Sequence, residues 1–185
     1  MKQLVAVLLA AAVLCGPACA SDAKIAADDF DGSTKVWVNP HGMNCAWSAP
    51  CYSVGARWSS KQPAAAALVI ELMGAYTPIK TASLNVDGEI LQLKPLDANT
   101  AYSQGIALTP GTYNAALAQA GRTSTQEFEI PLPLLQRVLA ARVVKMRIEL
   151  ADGVVDARLV ENGKASKAYG ALQRFWGKLP QRPAG

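Results

Sequence analysis

The chain has 185 residues and a single histidine, His41, so any hydrolytic triad would have to be built on that one imidazole. No Gly-x-Ser-x-Gly elbow is present to carry a nucleophile. His-Glu-x-x-His, the phosphate-cradling Gly-x-x-x-x-Gly-Lys loop and Gly-x-Gly-x-x-Gly after a strand are also missing. Cysteine is scarce, and its spacing matters more than its number. Cys45 and Cys51 stand too far apart for a Cys-x-x-Cys motif, which argues against thioredoxin-type exchange. The 18 basic and 14 acidic residues give a net charge of +4, but they are interspersed. Without a basic run interleaved with aromatics, the chain offers no nucleic-acid footprint. Beyond the first 20 residues no apolar run approaches the roughly 20 residues that span a bilayer, so no transmembrane helix is expected.

What is present begins with Met1-Lys2-Gln3, then Leu4 to Leu14 without a charge, then small residues ending Ala18-Cys19-Ala20. A basic start, a short apolar core and an A-x-A site describe a secretory signal peptide over 1–20, cleaved after Ala20. The expected location is periplasmic or secreted. Cys19 invites a second reading as a lipid anchor. However, Gly16-Pro17-Ala18 lacks the aliphatic residue usual three positions before a lipid-bearing cysteine, which favours release after Ala20. Cys15 and Cys19 fall in the leader, leaving Cys45 and Cys51. In an oxidising compartment these two are expected to pair. The loop they would close is short, and the bond would contribute about 2 kcal/mol.

Residues 21–33 are small and polar and read as a mobile terminus. Asp29, Asp31 and Ser33 begin a calcium-loop spacing. Thr34 stands where that loop needs Gly, and Pro40 where it needs Glu, so the metal reading fails. A β-rich domain is expected over 34–180. Its clearest signals are two hairpins. Thr81 to Lys94 turns at Asp87-Gly88, with Leu84 opposite Leu91, Ala82 opposite Leu93 and Ser83 opposite Gln92; only Ile90, opposite Asn85, falls on the wet side. Arg142 to Val160 also holds an Asp-Gly pair. A two-residue turn at Asp152-Gly153 would place Leu150 opposite Val155, Ile148 opposite Ala157 and Met146 opposite Leu159. Lys35 to Asn39 alternates, with Val36 and Val38 on one side and Trp37 on the other, and is expected to stop at Pro40. Tyr52 to Trp58, Ala66 to Met73 and Ser124 to Ile130 complete the readable strands. Pro133 opens a short helix striped by Leu134, Leu135, Val138 and Leu139. A C-terminal amphipathic helix follows, with Ala165, Ala168, Tyr169, Leu172, Phe175, Trp176 and Leu179 on its apolar face. Asn114 to Ala120 suggests one or two helical turns. The expected fold is mainly β: a single-domain antiparallel β-sandwich or curled sheet of about seven to nine strands, with one short helix and the amphipathic C-terminal helix.

Chemistry has few places to reside. His41, Met43 and Cys45 alternate, and imidazole, thioether and thiolate together suit copper. A Cys45–Cys51 bond would remove the thiolate. The aromatics Trp37, Trp47, Tyr52 and Trp58 cluster in sequence around the same loop. His41, Met43, Trp47 and Tyr52 are therefore the candidate binding surface, while Trp37 and Trp58 are expected to fill the core. Glu71, Glu89, Glu127, Glu129 and Glu149 sit where alternation turns side chains outward, which disfavours a paired-carboxylate site. No cofactor and no catalytic residue is expected. The composite expectation is an exported bacterial cell-envelope protein, a non-enzymatic module that binds an envelope protein, peptide or glycan. The alternative is periplasmic copper handling or hydrolysis centred on His41.

Overall fold

The computed structural model describes residues 22–43, 51–74, 76–104 and 122–180, with only the backbone of Cys51 and Gln104. The expected signal peptide, Cys19, the Cys45–Cys51 pairing, Trp47 and the helical turns at Asn114 to Ala120 all lie outside these residues. The described chain is one curled antiparallel sheet of eleven strands, more than expected, with two helices. The strands are β1 (Lys24–Ala27), β2 (Thr34–Gly42), β3 (Cys51–Ser59), β4 (Ala65–Met73), β5 (Ile79–Val86), β6 (Glu89–Pro95), β7 (Ala101–Gln104), β8 (Arg122–Pro131), β9 (Val144–Leu150), β10 (Val154–Glu161) and β11 (Lys164–Ala165). Helix α1 is Leu132–Ala140 and helix α2 is Lys167–Lys178.

The strand order is β1-β2-β3-β4-β8-β6-β5-β9-β10-β11, with β7 on β8. Its two halves meet at a narrow seam, where β6 pairs with β8 only through Lys94–Glu129 and Pro95–Phe128. Beyond that seam β7 takes over the same edge of β8. Period-two alternation builds the core. Val36, Val54, Leu68, Ile70, Leu72, Phe128 and Ile130 from one half, and Ala82, Leu84, Met146 and Ile148 from the other, are all buried on the inner face. Helix α2 carries Ala168, Leu172 and Phe175 into this core, packing on β2 and β3 and reaching β10 and α1. Full burial of Leu172 or Phe175 contributes about 1.5–3 kcal/mol each. Ser166 caps α2 by accepting from the Tyr169 N–H at 3.1 Å.

The first hairpin has the expected register, Leu84–Leu91 and Ala82–Leu93, and Ile90 is exposed. Asp87 and Gly88 both have positive φ, as a type I′ turn requires. Asp87 Oδ1 also accepts from the Val143 N–H at 2.8 Å, tying this turn to the entry of β9.

Four expectations differ. The β9–β10 turn centres one residue earlier, on Ala151–Asp152, with the Leu150 N–H donating to the Gly153 carbonyl at 2.8 Å. The observed pairs are therefore Ile148–Val155, Arg147–Asp156 and Met146–Ala157. Moving the turn by one residue slides the pairing by two, so every side chain keeps its face. The reason is tertiary. The Ala151 N–H donates to the Pro78 carbonyl at 3.0 Å, and Asp152 accepts from the Thr77 hydroxyl at 3.0 Å. The shift also sets Arg147 opposite Asp156, joined by two bonds of 2.7 and 2.8 Å. Second, β2 does not stop at Pro40. A bulge between Val38 and His41 absorbs the proline, and the ladder resumes as His41–Val54. Third, Ala165 belongs to β11 and is exposed; α2 starts later, at Lys167. The small polar stretch at 21–33 carries a strand as well, β1 on the edge of β2. Asx turns at Asp28 and Asp31 close the β1–β2 connection and leave Phe30 in solvent.

Candidate binding groove

On the outer face of β2, β3, β4 and β8 the sheet carries a groove of about 640 Å³. Strand alternation positions its walls. Val36 and Val38 point into the core, which turns the intervening Trp37 outward, where it is half-buried. Trp37 faces Arg57, Arg57 faces Ala67, and Ala67 faces Glu129, a row across four strands. Ala65 and Ala67 on β4 have almost no side-chain height, so they form the floor. Trp37 rises on one side, and Leu96, 42% exposed, on the other. The Leu96 N–H donates to the Glu127 carbonyl at 2.9 Å and holds that second wall against β8.

Charge in the groove is internally matched. Arg57 Nη1 reaches across β4 to Glu127 Oε1 at 2.7 Å. Lys35 is paired with Asp28, and that contact holds the Asp28 carboxyl below, and the Lys35 ammonium above, their ordinary ranges. An apolar floor with an indole and a charged but compensated rim is the anatomy of a recognition surface.

The residues singled out in the sequence lie elsewhere. His41 is on β2 beyond the bulge, its Nε2 against Asp22, and Asp22 is bound in turn by Arg174 of α2. Arg174 holds the Asp22 carboxyl below its usual range, with His41 adding to the effect. Met43 is 2% exposed, and its N–H donates to the Tyr52 carbonyl at 2.9 Å. Tyr52 is 4% exposed, and burial pushes its phenol up to about 12, helped by the Asp152 charge. Met43 and Tyr52 thus belong to the core and do not form a surface with His41. Among the described residues no three His, Cys, Asp or Glu side chains come together as a metal site. Trp37 is outward and Trp58 turns toward the core, its Nε1 donating to the Pro63 carbonyl at 3.5 Å. The sequence expectation put both tryptophans in the core; the structure turns Trp37 outward, and both residues border the groove. The signal for the groove was the alanine run Ala64 to Ala67 beside alternating strands, which has no meaning until the neighbouring strands are known.

The chain matches no protein-family model, no curated protein and no solved structure.

Proposed function

We propose that the protein is an exported binding module of the cell envelope that recognises an extended peptide segment of a partner in the Trp37 groove. The observation that supports this most is the pairing of an outward tryptophan with a floor of two alanines, flanked by an ion pair that needs no further counter-charge. Tryptophan and arginine are the side chains that dominate recognition energy when they line a desolvated pocket. A neutral, partly apolar strand of peptide fits such a groove better than a charged small molecule. The His41 reading, copper handling or hydrolysis, has less support, because the imidazole is engaged with Asp22.

The test uses the mature, secreted chain. Cell fractionation and N-terminal sequencing are expected to find it in the envelope or medium, beginning at Ser21. Peptides selected from a random display library are expected to alter its tryptophan emission on binding. Trp37→Ala should weaken that binding about tenfold or more, the loss of a hot-spot side chain, and His41→Ala should leave it unchanged. Selected peptides that bind Trp37→Ala as well as the parent protein would overturn the proposal. A metal- or substrate-dependent activity lost in His41→Ala would establish the alternative.

A further inference from the structure

One end of the sheet carries an edge that is complementary to itself. On one side β10 pairs with β9 from Val154 to Val160; on the other, β11 meets it only at Val160 and Glu161. The Ser166 N–H donates to the Leu159 carbonyl at that same end. Among the described residues, Val154 to Arg158 is therefore an open edge. Counting outward from the Leu150–Gly153 bond, Val155 and Ala157 bond to β9, so Val154, Asp156 and Arg158 turn their N–H and C=O groups away from the sheet. The run is regular, because the β10 bulge lies beyond Arg158. It holds neither proline nor lysine, residues that commonly blunt an edge. The edge strand at the opposite end, β1, is only four residues long and opens with Lys24.

A second β10, antiparallel to the first about a two-fold axis perpendicular to the sheet, fits this edge. Such an axis keeps both inner faces on one side, so every residue meets one of its own parity. With the axis at Asp156, Val154 lies opposite Arg158 of the second copy and Val155 opposite Ala157 of the second copy. All three open residues are then used, in six backbone bonds. With the axis at Val155, only Val154 and Asp156 are used. With the axis at Ala157, Val154 would run onto Val160, where β11 already sits. The side chains agree with the first register. Val155 and Ala157 are half-buried on the inner face and cover each other across the junction. Outside, each Asp156 carboxylate is held by Arg147 through two bonds of 2.7 and 2.8 Å. Arg158 of the second copy lies on its diagonal with the opposite sign. Val154, 58% exposed, is covered by the aliphatic stem of Arg158.

We infer that two copies of this chain associate through β10, joining their sheets into one continuous antiparallel sheet with Asp156 on the axis. Two five-residue strands bury little area, so the association is transient, with a Kd of about 10–100 μM. The interface is independent of the groove proposed above, which lies on β2, β3, β4 and β8.

Sedimentation equilibrium of the intact mature protein, at concentrations spanning that range, is expected to resolve a monomer–dimer equilibrium. Val154→Glu should lower the Kd and Val154→Lys should raise it, each about fivefold, because position 154 meets Arg158 twice in the dimer. Within one chain the same position faces Glu149, so the effect on folding has the opposite sign: Val154→Glu lowers the melting temperature slightly and Val154→Lys does not. Val154→Pro removes an edge N–H that β9 does not use and should raise the Kd about tenfold. Trp37→Ala should leave the Kd unchanged, so failure of the groove and failure of this edge are separable. A monomer at every concentration, or a dimer indifferent to the charge at position 154, overturns the inference. A dimer that responds instead to Lys24→Glu in β1 places the contact at the other end of the sheet and overturns it as well.

Discussion

Gly55 shows how one missing side chain sets the course of an edge. A Cβ at this position would stand 2.6 Å from the Val38 carbonyl oxygen, 2.7 Å from the Pro40 nitrogen and 2.9 Å from the Asn39 carbonyl carbon. All three are backbone atoms of the β2 bulge, and none can rotate away. Gly55→Ala is therefore expected to cost about 2–3 kcal/mol by overpacking, read as a lower urea midpoint at unchanged m-value. A loss below half a kilocalorie would mean the bulge is not packed as described. The same bulge explains why residue-by-residue reading failed at His41 and Met43. Without the extra residue, even-numbered positions would stay inward and His41 would share the outer face with Trp37. With it, His41 and Met43 turn inward and Trp37 stays out. Alternation correctly set Val36 and Val38 against Trp37. It could not show that Ala65 and Ala67 would lie beside that indole, because strand neighbours distant in sequence leave no local mark.

At the scale of the element, the two Asp-Gly hairpins form a natural comparison. Asp87-Gly88 adopts positive φ and keeps the local register, whereas Asp152-Gly153 does not. Local turn chemistry was legible in both, but only tertiary contacts decided the second, through Pro78 and Thr77. Parity survived because a hairpin can slide only in steps of two without exposing Ile148. The observed register makes a checkable claim. The Leu150–Gly153 bond closes the hairpin, and counting outward makes Arg147–Asp156 a non-hydrogen-bonded pair, where Cα atoms approach to about 4.5 Å and a disulfide fits. The double variant Arg147→Cys with Asp156→Cys should oxidise readily to a single intramolecular bond. Arg147→Cys with Arg158→Cys, the pair implied by a turn at Asp152-Gly153, should not. Non-reducing mass mapping of both variants distinguishes the registers. The helices were legible from apolar spacing alone. The exception was Ala165, whose small size fits a helix stripe and an edge strand equally well.

The whole molecule depends on closing a curled sheet that has two ends. Helix α2 sits across them, packed on β2 and β3 and touching β10, and Asp22 fastens it from outside the core. That carboxylate meets Arg174 on the helix and His41 on β2, so the chain just before β1 is fixed to both. None of this was visible in the sequence, where Asp22, His41 and Arg174 are far apart and carry no shared pattern. Its energetics follow from the titration. The Asp22 carboxyl is held below its ordinary value of 3.8, first by the Arg174 hydrogen bond. A carboxylate depressed in the folded state binds its proton less readily than in the unfolded chain, so the unfolded chain takes up protons first as pH falls. The contribution of Asp22 is thus fully present above about pH 4 and disappears as pH drops through its lowered folded value. Its side chain is about one-third exposed, 33%, so solvent screening limits the effect. Asp22→Asn should cost about 0.5 kcal/mol near neutrality, and the difference from the parent protein should shrink toward zero in strong acid. Chemical denaturation of both proteins across this pH range measures it. Because Asp22 lies immediately before β1, amide exchange in Lys24–Ala27 should accelerate in the variant while Leu172 and Phe175 on α2 stay protected. Faster exchange throughout α2 would instead show that this ion pair holds the helix itself on the sheet, rather than the edge strand beside it.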